Sequence, residues 1–186
     1  MFFEGKGKEY TAKTAGLAVQ RARELGISRI VVASNTGYTA DEFLSAIGDL
    51  KDIKLVVVTH HVGFRGPGEH EMPAEARARL AAAGCELLTT THLFANVERA
   101  ITSKFGGLYP GGIISAALRL FGQGTKVCLE IATMAMDAGL IPAGAEVVVA
   151  AGSGRGADTA LVLLPAHAKS FFETEVREVI CKPRTV

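Results

Sequence analysis

The chain has 186 residues, a net charge of +1, 48% hydrophobic residues and 21% charged residues. This is a globular composition, long enough to bury about 70% of its extended surface in one domain spanning 1–186. It argues against nucleic acid as a partner, because no basic face is clustered, and against a membrane, because no apolar run reaches the roughly 20 residues of a spanning helix. The N-terminus lacks the layout of a signal peptide. Cys85, Cys128 and Cys181 are scattered, form no Cys-x-x-Cys pair, and suit core positions in a reduced cytoplasmic protein.

Taken in order, Thr11 to Gly26 reads as a helix, with an apolar stripe through Leu17, Ala18, Ala22 and Leu25 and Gly26 as its stop. Arg29 to Ala33 is an apolar strand of the kind buried on both faces of a parallel sheet. It runs into the polar loop Ser34-Asn35-Thr36-Gly37-Tyr38-Thr39, and then into a helix predicted to end near Leu50. Such a loop lies at the carboxyl end of a strand and the amino end of a helix, where ligands collect in open α/β sheets. Its hydroxyls, its amide and the unpaired N–H groups of the helix suit a phosphate. The same residue types also cap helices, so this loop has two candidate roles.

Lys54 to Thr59 is the next strand. The loop from His60 to Met72 follows, broken by Gly63, Gly66, Pro67 and Gly68. His60 and His61 suggest metal, yet neighbours on a strand point to opposite faces, which argues against a shared zinc ion. One of them is expected to reach a ligand. Glu69, His70 and Glu71 read as a solvated polar cluster. Pro73 opens a helix that stops at Gly84. Glu86 to Thr90 is a strand, and the hydroxyls and imidazole of Thr89 to His92 are expected to face the same crevice as Ser34, or to cap a helix over Leu93 to Ser103.

Phe105 to Gly112 reads as a Gly- and Pro-rich turn, and in the overlapping stretch Ser103 to Pro110 Lys104 is a candidate to pair with an anion or to meet another subunit. Ile113 to Phe121 and Gly124 to Leu140 are predicted helices. The second is apolar nearly all round and belongs in the core or between subunits, and its Lys126–Glu130 pair reads as a weak one-turn ion pair. Glu146 to Ala150 and Thr159 to Leu164 are strands joined by too few residues for a parallel crossover, so the second is antiparallel. The joining loop, Gly152-Ser153-Gly154-Arg155-Gly156-Ala157-Asp158, frees the backbone and offers a guanidinium to a phosphate or a planar ring. Its spacing is neither the dinucleotide fingerprint nor a nucleophile elbow. Thr174 to Cys181 alternates like an edge strand. The fold class is α/β: three αβα layers around a mostly parallel sheet of about five strands, the last antiparallel.

The stretches Ile30 to Ala40 and Val147 to Pro165 resemble the C-terminal α/β domain of pyruvate kinase, in its stand-alone archaeal and bacterial form. In that domain the first loop holds a phosphate of an allosteric sugar bisphosphate. The catalytic barrel, its metal-binding carboxylates and its catalytic lysine have no counterpart here, so kinase activity is not implied. Ser103 to Gly112 is similar to a hallmark of the stand-alone family, whose members are similar to flavin mononucleotide (FMN) binders. The resemblance implies a phosphate on Ser34, Asn35, Thr36, Gly37 and Thr39. It implies a ring toward Gly152, Ser153, Gly154, Arg155, Gly156 and Asp158, with His60, His61, Gly63 and Thr90 near. No resident metal and no catalytic residue are assigned.

Two functions follow as expectations. One is a small-molecule binding protein for a phosphate-bearing ligand, FMN first. The other is a regulatory or structural module for a sugar phosphate or protein partner. A weaker third is a metal enzyme using His60, His92 and Asp158. Tyr109-Pro110 and the hydrophobic helix around Ile131 hint at self-association as a homo-oligomer.

Overall fold

A computed structural model describes residues 1–95 and 97–185. Its seven strands are β1 (Phe2–Phe3), β2 (Arg29–Ala33), β3 (Lys54–Thr59), β4 (Glu86–Thr89), β5 (Val147–Ala151), β6 (Thr159–Leu164) and β7 (Glu175–Pro183). The helices are α1 (Thr11–Leu25), α2 (Tyr38–Ile47), α3 (Ala74–Ala82), α4 (Val97–Phe105), α5 (Pro110–Arg119) and α6 (Gln123–Asp137). Short 3-10 turns occupy Lys8–Tyr10 and Ala168–Glu173.

One sheet runs in the order β1-β7-β6-β5-β2-β3-β4. Strands β5, β2, β3 and β4 are parallel, β6 is antiparallel to both its neighbours, and β1 is parallel to β7. The expected mostly parallel sheet with an antiparallel end is therefore present. The tail strand differs from the edge position read for it. Phe2 and Phe3 pair with Lys182 and Pro183, so β7 lies inside the edge.

Alternation along the central strands makes two cores. Ile30, Val32, Leu55, Val57, Val148 and Ala150 point into the layer of α1, α2 and α3. Val31, Val56, Val58, Val147 and Val149 point into the layer of α6. A side-chain period of two sends successive residues to opposite faces, so a run of consecutive apolar residues suits only a strand covered on both sides. Helix α6 is buried along 12 of its 15 residues, between the sheet and α5. Its all-round apolar character belongs to an internal position. Cys85, Cys128 and Cys181 are buried free thiols.

Several boundaries differ from those read in the sequence, each for an identifiable reason. Helix α2 ends at Ile47, where Gly48 turns the chain at φ 55°. The helix read from Leu93 starts at Val97 instead, because Phe94 is buried and its N–H donates to Glu130 Oε1 at 3.0 Å. Asn96, inside that reading, lies outside the described residues. Helix α5 begins earlier than read, at Pro110, which occupies the first turn where a missing N–H costs nothing.

Chain order and strand order diverge at β2. The chain steps from β2 to β3 and β4 on one side, then crosses through α4, α5 and α6 to β5 on the other side of β2. The carboxyl ends of β2 and β5 therefore flank a topological switch point, where doubly wound sheets open a crevice.

Candidate functional site

A cleft of about 1150 Å³ opens at the carboxyl ends of the strands. The Ser34 loop after β2, His60 after β3, His92 after β4 and the glycine loop after β5 all reach it, and α4, α5 and α6 wall its other side.

The Ser34 loop serves the helix and the cleft together. Ser34 is buried, its N–H donates to Val58 O at 3.0 Å, and its hydroxyl accepts the Ala40 N–H at 3.3 Å. Ser34, Asn35, Thr36 and Thr39 line the cleft. Gly37 is not in the lining. It turns the backbone at φ 99°, a conformation that suits only glycine, and starts α2. By helix geometry the N–H groups of Tyr38 and Thr39 have no carbonyl one turn before them.

Asn35 fixes the state of His60. The Asn35 Oδ1 accepts the His60 backbone N–H at 3.0 Å, so its Nδ2 faces His60 Nε2, also at 3.0 Å. An amide nitrogen only donates, so Nε2 is the acceptor and Nδ1 carries the proton. That proton points to Glu71 Oε2, 2.5 Å away, and the other Glu71 oxygen meets Arg65 Nε at 2.9 Å. The Glu71 side chain is only 6% exposed, which corrects its reading as a solvated loop residue.

The two adjacent histidines also depart from the strand alternation expected of them. Strand β3 ends at Thr59 and the chain turns, so the His60 and His61 rings each lie 5.2 Å from the His92 ring. Phe64 stacks on His60 at 3.8 Å. His60, Phe64 and His92 line the cleft; His61 does not, and its Nδ1 sits 2.8 Å from Val62 O. Gly63 also lies outside the lining, turning the loop at φ 86°. Thr90 follows the end of β4 and is exposed away from the lining. The expectation for Thr89 to His92 is thus met by His92 alone.

Burial pushes the His92 imidazole down to about 4 from 6.5, with His60, His61 and Lys126 pushing the same way and Glu130 opposing. As pH falls through this window the unfolded chain takes up a proton that the folded chain resists, so stability falls from about pH 6.5 toward 4. We expect the urea midpoint to drop more steeply over this range in the wild type than in His92→Gln. Equal slopes would remove His92 as the cause.

The glycine loop is held tightly. A Cβ on Gly152 would collide with Gly156 O, and one on Gly156 with Thr11 Oγ1, so these two glycines permit close backbone packing. Gly152, Gly154, Arg155 and Gly156 line the cleft, while Ser153 and Asp158 do not. Asp158 is fully buried. Its Oδ2 accepts the N–H groups of Gly7 (2.9 Å) and Ser153 (3.1 Å), and its Oδ1 the Thr159 hydroxyl (2.9 Å). A carboxylate so occupied is a clamp, and Asp158 does not join His60 and His92 in the cleft lining. Among the described residues, no group of three His, Cys, Asp or Glu is placed to hold a metal.

Other lining residues carried weak sequence signals or none. Lys8 sits with its ammonium 4.1 Å from the centre of the Tyr38 ring. Lys126 and Glu130, read as a weak pair, are a buried one, each side chain 7% exposed and bonded to the other. Burial lowers the Lys126 ammonium, with Arg119 and Arg99 adding to this and Glu130 opposing it. The i,i+4 spacing was visible in sequence; the covering by α5 and Phe94 was not. Lys104 lies outside the lining, with its ammonium near the Phe105 ring.

A family profile described as pyruvate kinase, alpha/beta domain, matches residues 12–163. Among solved structures, pyruvate kinase of Cryptosporidium parvum in complex with ADP is 17% identical, with a TM-score of 0.41, over 82% of this chain and 22% of that one. Another structure of the Cryptosporidium parvum enzyme is 16% identical, with a TM-score of 0.38, over 78% of this chain and 21% of that one. The chain spans about a fifth of the length of these pyruvate kinases. With the profile covering most of its residues, the chain belongs to the family of the pyruvate kinase alpha/beta domain.

Proposed function

We propose that this domain binds a small phosphate-bearing molecule in the strand-end cleft, with FMN the ligand of choice, and that it has no pyruvate kinase activity of its own. The observation that carries this reading is the meeting of the Ser34 loop and the glycine loop at the β2–β5 switch point. The charge balance of the cleft supports it. Six cationic side chains line it (Lys8, Arg65, Arg99, Arg119, Lys126 and Arg155) against three carboxylates (Glu71, Glu98 and Glu130). An anion is therefore the favoured guest.

The residues fit a flavin phosphate and ring. Thr36 and Thr39 offer hydroxyls beside the N-terminus of α2, and Gly154, where a Cβ would meet nothing within 4 Å, allows a flat group to approach the backbone. His60, Phe64 and His92 present ring faces near by. A bound flavin supplies the redox chemistry, and the protein binds and orients it. Phosphoryl transfer is not carried over from relatives that the chain matches along only a fifth of their length.

The test is the visible spectrum of purified protein after FMN is added and the excess removed. A retained flavin band is expected, and Thr36→Val with Thr39→Val should weaken retention about tenfold or more, as for lost phosphate hydrogen bonds. Retention equal to the parent would reassign the phosphate. A second reading is a regulatory module for a sugar phosphate or protein partner. It is favoured by the engagement of His60 Nε2 with Asn35, which leaves that imidazole no lone pair for base chemistry.

Self-association remains part of the proposal. Phe105, Leu108, Leu120 and Phe121, at 63–84% exposed, crowd the α4–α5 segment. Sedimentation at micromolar concentration checks it, and a monomer would end it. No helix among the described residues is long and apolar enough to cross a membrane, and three free buried cysteines suit the reducing cytoplasm.

A further inference from the structure

The segment before α1 is docked on the glycine loop and delivers one cation to the cleft. The Gly7 N–H donates to Asp158 Oδ2 at 2.9 Å. The Thr11 hydroxyl donates to Lys8 O at 2.7 Å and accepts the Ala157 N–H at 3.1 Å. A Cβ on Gly156 would fall 2.8 Å from Lys8 Cα, so the two backbones pack closely. The main chain around Lys8 is therefore tied to the loop before it, through Gly7, and after it, through Thr11.

The Lys8 side chain is not tied in this way. It is exposed, lines the cleft and makes no ion pair among the described residues. Its ammonium rests 4.1 Å from the centre of the Tyr38 ring, and Tyr38 belongs to the Ser34 loop itself. An exposed contact between a cation and a ring is weak beside a charge-assisted hydrogen bond to a phosphate oxygen. In the same loop Thr39 is 4% exposed and lines the cleft, yet its hydroxyl has no hydrogen-bond partner among the described residues. A buried hydroxyl left without a partner costs stability that a guest restores. A cation without a counter-ion and a hydroxyl without a partner thus line one cavity from two segments distant in sequence.

We propose that Lys8 is a ligand-binding residue whose ammonium leaves the Tyr38 ring for the phosphate on the Ser34 loop, and that it makes the site select a phosphorylated ligand over the dephosphorylated form. The inference rests on the cleft taking a phosphate-bearing ligand and adds a specificity residue supplied by the N-terminal segment. The docking of that segment on Asp158 and Ala157 positions the ammonium, so the glycine loop and the Ser34 loop act on one guest together.

The test is equilibrium binding of FMN, riboflavin and inorganic phosphate to the full chain at low salt, where exposed charges are least screened. FMN and riboflavin share the ring and the ribityl chain and differ by the phosphate alone. The proteins are wild type, Lys8→Met and Lys8→Arg. Lys8→Met should lose about tenfold or more in affinity for FMN and keep its affinity for riboflavin, as for one charge-assisted hydrogen bond removed. Lys8→Arg should keep most of the FMN affinity, because it retains the charge. Circular dichroism confirms that the variants are folded.

Unchanged FMN affinity in Lys8→Met would overturn the inference and leave the reading of the cleft standing. An equal loss for FMN and riboflavin would also overturn it, since Lys8 would then serve the ring and not the phosphate. If the wild type binds no FMN, inorganic phosphate decides. Loss of phosphate affinity in Lys8→Met would keep the inference and reject only FMN. Phosphate binding indifferent to Lys8→Met, or a wild type that binds neither FMN nor phosphate, would overturn it.

Discussion

Replacing Glu130 with Ala is expected to destabilise the protein by roughly 3–5 kcal/mol, the cost of leaving one member of a buried ion pair uncompensated. The carboxylate faces the Lys126 ammonium, both side chains are 7% exposed, and its second oxygen holds the Phe94 N–H. Removing it strands a buried charge on the helix that fills the core beneath the cleft, and with it the Phe94 N–H of the segment before α4. For a chain of this length the thermal midpoint should fall by roughly 10 °C. A double variant, Lys126→Met with Glu130→Leu, should recover much of the loss, because two apolar groups of similar size leave no charge to solvate. A midpoint for Glu130→Ala within a degree or two of wild type would mean that water reaches Lys126 freely.

Asp158→Ala is the second large effect, about 3 kcal/mol or more, from three donors left without their acceptor in a fully buried setting. Gly7 N–H, Ser153 N–H and the Thr159 hydroxyl all converge on this carboxylate. Asp158→Asn should recover much of the loss, since its amide oxygen can accept the two backbone N–H groups while its NH₂ donates to the Thr159 hydroxyl, which accepts as well as donates. The consequence for the cleft is separate from stability. The carboxylate ties the segment before α1 to the glycine loop, so the variant should expose residues 152–156 to limited proteolysis below the unfolding transition. Equal cleavage rates in wild type and variant would show that the loop is held by its glycine packing and the Ala157 N–H bond to Thr11 Oγ1 alone.

The elements were legible because their signals are local. Val31 and Val32 in the middle of β2, and Val56 to Val58 in β3, lack any polar alternation, which is the mark of a strand covered on both faces. The seven residues between Ala151 and Thr159 could not carry a parallel crossover, and β6 is antiparallel. Boundaries were less legible where a side chain far away decides them. Phe94 stays out of a helix because Glu130, 36 positions on, takes its N–H.

Half of the cleft was legible for the same reason. A polar loop after an apolar strand marks a strand end, and Ser34, Asn35, Thr36, Thr39, Gly152, Gly154, Arg155 and Gly156 all line the cleft. The other half depended on contacts without sequence spacing. Glu71 looked solvated until His60 and Arg65 closed on it. Asp158 looked like a ligand contact until the N-terminal segment came to rest on it.

From its sequence alone this chain determined its αβα class, its parallel strands and the loops that end them, since hydrophobic period, breakers and connection length act within a few residues. Only the tertiary structure decided that β2 and β5 are neighbours, that the helices from α4 to α6 wall the cleft, and which charges are neutralised. Those outcomes depend on the crossover from β4 to β5 and on burial, and an ionic group acquires its partner and its dielectric only when distant segments pack around it.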